Sequence, residues 1–260
     1  MKCREILDLL EKEYPIECAE EWDNPGLLLG DENAAVDKIM VALDAVDSVI
    51  EQAARENVQL LVTHHPLIFS PVRQINNRSV NGRRILKLAQ KGIACYAMHT
   101  NFDIRGMAQI NEEQLGLKEC SVLFQTGEKN GKEEGIGRVG RLSEKMTLAE
   151  LSEHVKASFQ ISGVLCYGKA DLLVERAAVS SGSGKSMVKS ACKAGAQVLI
   201  TGDIDYHTAI DAMEDGLAII DAGHYGTEYI FIEYMTKKLR KLCPSCEIIP
   251  AKQEEPFRIV

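Results

Sequence analysis

The chain has 260 residues, 45% of them hydrophobic and 26% charged, a balance that excludes disordered, collagen-like and low-complexity architectures. Lys and Arg total 30 against 38 Asp and Glu, a net charge of -8, so the basic footprint of a protein that wraps nucleic acid is missing. No stretch reaches the roughly 18 uncharged apolar residues of a membrane span, and four acidic residues within Met1–Pro15 argue against a signal or transit peptide. A cytoplasmic protein with no membrane partner is expected, as one large or two small domains.

Ile6, Leu7, Leu9 and Leu10 repeat at helical spacing and open the chain with a helix. The apolar run Lys38–Leu43 predicts a strand, Val49–Ala54 a helix and Leu60–Thr63 a second strand, which ends in Thr63-His-His-Pro66. Strand alternation would send His64 and His65 to opposite faces, so that each serves a different metal; two surface histidines at a strand end are the plainer alternative. A further strand, Ile93–Ala97, leads into His99-Thr-Asn-Phe-Asp103. There an imidazole and a carboxylate four residues apart can enter one crevice, unless Asp103 is a turn cap.

The polar stretch Gln125–Gly135 reads as the boundary, predicting a first lobe over 1–125 and a second over 126–260. The second lobe opens with a polar helix, Leu148–Phe159, that carries a solvated His154. The strand Ala177–Ser180 is followed by Ser181-Gly-Ser-Gly-Lys-Ser186, which resembles a phosphate loop but has Val179 where the Walker pattern needs glycine. A tight turn feeding the helix Met187–Lys193 explains it better. Past the strand Val198–Thr201, His207 is expected at a strand end. Gly216–His224 repeats the earlier Gly92–His99, and a last helix, 225–242, presents Ile230, Phe231, Tyr234, Met235 and Leu239 inward and is a candidate to pack back on the first lobe. At its opening, His224 and Glu228 stand at i, i+4 on one face, as in helical metal sites, or form an ordinary polar first turn. Cys243-Pro-Ser-Cys246 has no second Cys/His pair nearby and reads as structural.

Residues 38–65 align without gaps on 176–203, an offset of 138, with Val41, Ser48, Ala53, Gln59, Leu61 and Thr63 matched by identical residues. The expected fold is therefore α/β: two related lobes with mixed sheets flanked by helices. His64, His65, Asp103, His224 and Glu228 supply three imidazoles and two carboxylates at equivalent strand ends. That is one ligand too many for a catalytic mononuclear zinc and suits two divalent ions, whether zinc, iron, manganese or nickel. His99 is a sixth candidate, as ligand, as proton carrier or as a hydrogen-bonding support for Asp103.

Glu21-Trp-Asp-Asn-Pro-Gly-Leu27, Thr63–Pro66, His99–Asp103, Gly135-Ile-Gly-Arg-Val-Gly140, Thr201-Gly-Asp203 and Gly223–Glu228 together resemble the Nif-three-like family, the GTP cyclohydrolase I type 2 homologs. The resemblance implies a dinuclear metal centre between two α/β lobes and a homohexamer. By motif, His64, His65, Asp103, His224 and Glu228 would be the ligands, with Glu228 bridging. It also implies a metal-dependent hydrolase acting on a nucleotide or phosphorylated small molecule; a two-metal phosphoesterase and a non-catalytic metal-binding or metal-delivery protein are the alternatives. Two departures stand out. Only Gly106 follows Asp103 where the family shows a Gly-Gly pair, and the polar stretch 125–135 leaves no room for the domain that longer relatives insert.

Overall fold

The computed structural model describes residues 1–258. Its strands, in chain order, are β1 (Gly26–Leu29), β2 (Lys38–Ala42), β3 (Leu60–Thr63), β4 (Ala94–Ala97), β5 (Lys118–Lys129), β6 (Lys132–Thr147), β7 (Leu165–Tyr167), β8 (Leu173–Ser183), β9 (Val198–Gly202), β10 (Ala218–Asp221) and β11 (Glu247–Pro250). Two compact units emerge, Met1–Phe102 with Tyr229–Glu254, and Asp103–Glu228 with the residues from Glu255 on.

The first unit holds a sheet in the order β1-β4-β3-β2-β11, parallel except where β1 runs against β4. Its central strands are uninterrupted apolar runs because both faces are covered. Met40, Ala42, Leu61 and Cys95 pack under Val49, Ile50 and Ala53 of the helix Asp47–Arg55 and Ile85 and Leu88 of the helix Val80–Lys91. Ile39, Val41, Leu60 and Val62 are buried on the other face, and the helix Ile230–Leu242 packs along β2 and β11.

The second unit's sheet runs β5-β6-β8-β9-β10-β7. Leu148, Leu151, Val155 and Phe159, from a helix begun by a Thr147–Glu150 capping box, cover Val179, Val198 and Ile200. Ala178, Leu199 and Ile219 meet Val188, Ala191, Ala209 and Ala212 on the opposite side. The internal repeat extends to register: Ile39 faces Leu60 across β2 and β3, and Ala177 faces Val198 across β8 and β9, each residue moved on by 138. Both faces of each sheet are thus lined by helices, and the fold is α/β with two mixed sheets.

Several local expectations give way. The stretch 125–135 is not a linker but the end of a long β5–β6 hairpin, turned at Asn130 and Gly131, both at positive φ. Asn-Gly between two strands is the sequence signal of such a hairpin, and it outweighs polarity as evidence here. The boundary between units falls after Phe102 instead. The expected 225–242 helix is two helices, His224–Glu228 and Ile230–Leu242, and its buried face includes Ile232 while Ile230 and Tyr234 are only half-buried. Instead of ending a strand, His207 lies exposed in the helix Tyr206–Glu214. His154 is half-buried, its Nε2 3.1 Å from the Leu115 carbonyl, and so is not simply solvated. No helix among the described residues is long and apolar enough to cross a membrane.

Candidate metal centre

In the first unit a histidine cluster forms where β3 and β4 end. His64 and His65 lie beyond the last strand residue, Thr63, whose hydroxyl donates to the His65 carbonyl at 2.8 Å. With the strand over, alternation no longer governs their direction. The expected divergence does not occur: His64, His65 and His99 offer ligand nitrogens within 4.8 Å of one another. The rings stand 5.0 to 5.8 Å apart between centroids. His64 is fully buried, against Phe102 and Phe231.

Each imidazole is aimed by a hydrogen bond at Nδ1. His64 Nδ1 is 2.7 Å from the Met98 carbonyl, His65 Nδ1 2.8 Å from Asp44, and His99 Nδ1 2.7 Å from Asp23. A neutral ring that donates from Nδ1 carries its lone pair on Nε2, the arrangement by which carboxylates and carbonyls orient metal-ligating histidines. Asp44 is itself held by Gln253, which donates to Oδ2 at 2.7 Å and accepts from the Leu43 and Asp44 amides.

In the second unit, His224 and Glu228 occupy successive turns of one short helix, Nε2 to Oε2 at 3.1 Å, with Glu228 buried. Asp203, just past β9, holds His224 Nδ1 at 2.8 Å. Asp103 opens a five-residue π-helical turn, and its carboxylate lies within 4.8 Å of that of Glu228. Such turns recur at functional sites because they re-aim side chains. The Gly-rich stretch after β8 has its explanation here. Gly182, at φ +64, donates its amide to Thr227 Oγ1, and a Cβ on it would lie 2.5 Å from Glu228 Oε1 and 3.3 Å from His224 Nε2. A Cβ on Gly184 would likewise run into the side chain of Thr201. These glycines admit neighbouring side chains, and no phosphate need be invoked.

The orienting carboxylates Asp23, Asp44 and Asp203 escaped assignment to the site from sequence. Asp23 and Asp203 lie inside the family-like motifs, whereas nothing local marks Asp44, which is 21 positions from His65. Asp23 has a fully buried carboxylate. Burial by itself would raise its pKa, but hydrogen bonds from His99 and Thr100 outweigh that cost and hold it at about 2. Since the folded value lies below the ordinary 3.8, Asp23 contributes stability that is complete above pH 4 and lost as pH falls through about 2. Asp23→Asn is expected to cost about 2 kcal/mol at pH 7, and the gap from the unsubstituted protein should narrow toward pH 2. Urea unfolding of both proteins across that range checks it; a gap independent of pH would mean the carboxylate charge contributes nothing.

His207 and His154 join none of the clusters of potential metal ligands among the described residues. Burial raises the pKa of the Cys95 thiol to about 12, which leaves no thiolate nucleophile there. Cys243 is buried and Cys246 Sγ lies 3.3 Å from the Val36 carbonyl, contacts of structural cysteines.

The chain resembles proteins of known sequence and structure over nearly its whole length. A Clostridium acetobutylicum protein named GTP cyclohydrolase 1 type 2 homolog is 39% identical over 241 residues, covering 92% of this chain and 90% of that one. Its namesake from Clostridium perfringens is 33% identical over 264 residues, with both chains fully covered. Among solved structures, the Bacillus cereus protein related to NIF3 superposes with a TM-score of 0.94 at 26% identity, over 100% of this chain and 99% of that one. Reduced HcgD from Methanocaldococcus jannaschii gives 0.84 at 31% identity, over 97% and 98%. The profile of one family matches residues 1–256, and the chain belongs to that family, Duf34/NIF3 (NGG1p interacting factor 3).

Proposed function

We propose that this protein is a metal-dependent hydrolase with two divalent ions per chain, held by His64, His65 and Asp103 together with His224 and Glu228, with Glu228 bridging. The observation that carries the reading is the aiming of His64, His65 and His224, each by a hydrogen bond at Nδ1, with the Asp103 and Glu228 carboxylates within 4.8 Å of each other. The donor set is borderline in softness and suits zinc, iron, manganese or nickel. The Gly182 cradle fits as well, since it leaves for Glu228 the space that a side chain would fill.

Bound divalent ions supply Lewis acidity and bring water within reach of deprotonation near neutral pH. The protein's own residues do the rest. Asp44 and Asp203 fix the tautomers of His65 and His224. His99, braced by Asp23 at Nδ1, would carry a proton at Nε2. The names of the relatives favour a purine nucleotide as substrate, with a phosphorylated small molecule as the broader class. The assembly proposed is a homohexamer. A cytoplasmic setting fits eight cysteines with no disulfide among the described residues.

Native mass spectrometry of protein purified without chelator is expected to give two metal ions per chain and six chains per particle. One ion at saturation would overturn the dinuclear reading, and a monomer would overturn the hexamer. Assayed on GTP and on a phosphoester panel, the metal-loaded protein should turn over, and His99→Gln should keep its metal while losing activity. Full metal content with no turnover on any of these compounds would favour metal binding or delivery instead.

A further inference from the structure

Trp22 and Phe69 are large aromatic residues, yet they stand 57% and 50% exposed. Isolated exposed apolar side chains need no explanation, but these two touch, with centroids 5.9 Å apart and planes tilted by 52°. Both also lie edge-on to His99, at 6.1 and 6.3 Å, and His99 lies 5.4 Å from His64 and 5.8 Å from His65. The pair is thus continuous with the histidine cluster, within one unit.

The two loops that present these rings are anchored. On one side of Trp22 the Glu20 amide donates to Thr100 Oγ1 at 3.0 Å. On the other, buried Asp23 accepts from the Thr100 amide at 3.0 Å and pairs with His99. Asn24 then donates to the Ile68 carbonyl at 2.6 Å, which ties the Trp22 loop to the residue before Phe69. A loop fastened at Glu20, Asp23 and Asn24 holds Trp22 in water at a hydrophobic cost that folding does not require. Rigid aromatic faces beside a polar cluster are what a binding site for a flat ring needs, because stacking is lost if the platform must first be ordered.

We propose that Trp22 and Phe69 form a stacking platform for the planar nitrogen heterocycle of the substrate, setting it against His99 and the histidine cluster. This rests on the hydrolase reading above and deepens it by naming the two residues that would hold a flat, π-rich ring, such as that of a nucleoside or nucleotide, in preference to a sugar phosphate. Neither aromatic residue is a ligand or a proton carrier; both position the ring.

Trp22 is the only tryptophan in the chain, so its fluorescence reports the platform directly. Guanosine and GTP added to the metal-loaded, full-length protein should quench and shift its emission saturably, while ribose 5-phosphate should not. Equilibrium dialysis should show Trp22→Ala and Phe69→Ala binding guanosine about tenfold or more weakly, with Trp22→Phe within a few-fold of the parent, as expected for lost and retained stacking. Metal content should be unchanged in all three. Guanosine binding that leaves Trp22 emission unaltered, or that survives both alanine substitutions, overturns the platform while the metal reading stands. Failure of the unsubstituted protein to take up metal would instead overturn the hydrolase reading. If the alanine variants change the number of chains per particle, the pair is a contact between copies and the proposal fails.

Discussion

Gly182→Ala is expected to strip metal affinity from the His224–Glu228 pair while leaving both sheets folded. Two costs combine at this position. A non-glycine residue at φ +64 pays roughly 1–2 kcal/mol in backbone energy. The added Cβ would then fall 2.5 Å from Glu228 Oε1, inside any permitted contact, so the buried carboxylate has to move. Glu228 shares a short helix with His224, and Thr227 of that helix accepts the Gly182 amide, so the displacement reaches the imidazole as well. Gly195→Ala separates the two costs, because Gly195 has φ +69 and nothing within 4 Å of where the new methyl would sit. Both variants should lose similar stability from the backbone, measured by urea unfolding. Zinc titration calorimetry should find affinity reduced at least ~10-fold in Gly182→Ala only, the size of effect seen when the supports of a metal ligand are disturbed. Equal zinc affinity in the two variants would show that His224 and Glu228 are not ligands.

Glu228→Gln is expected to move stability in opposite directions with and without metal. A carboxylate at 3% exposure is expensive to keep charged, so the isosteric neutral amide should leave the metal-free protein as stable as before or slightly more so. With metal the order reverses. An ion present at a hundred times its dissociation constant stabilises the folded state by about 2.7 kcal/mol, which in a chain of this size raises Tm by roughly 5–10 °C. A bridging ligand that has lost its charge forfeits most of that rise for both ions. Thermal scans of both proteins, chelated and then zinc-loaded, read all four states. If zinc raises the Tm of Glu228→Gln as much as that of the parent, the bridging assignment is wrong, and a large drop in the chelated state would give Glu228 a structural role instead.

Much of this protein could be read from local pattern. Both faces of the central strands are buried, so Leu60–Val62 and Val198–Ile200 are uniformly apolar, and a repeat offset of 138 is visible because the two sheets keep the same register. The helix Leu148–Phe159 was legible to the residue, since its capping box and apolar spacing lie within a dozen positions. The placement of His64, His65 and His99 just past strand ends was legible from local pattern as well, whereas that of His207 was not.

Tertiary structure decided what depends on residues far apart. Which oxygen aims each imidazole is set by pairs separated by 21, 34, 76 and 21 positions, and no periodicity links them. That Asp103 belongs with Glu228 rather than with the strand before it follows from a division after Phe102, where the sequence shows no glycine, proline or change of composition. Gly182 reads in sequence only as part of a tight turn, and its place beside Glu228 and His224 comes from the tertiary structure. The sequence marks Trp22 only as part of a motif, whereas the fold has Asp23 and Asn24 hold its loop against Thr100 and Ile68. Local pattern determines which segments become strands and helices, because propensity and burial act over a few residues. Each cluster of side chains is made where strand ends and loops distant in sequence meet within one unit, and only the folded sheet brings them there.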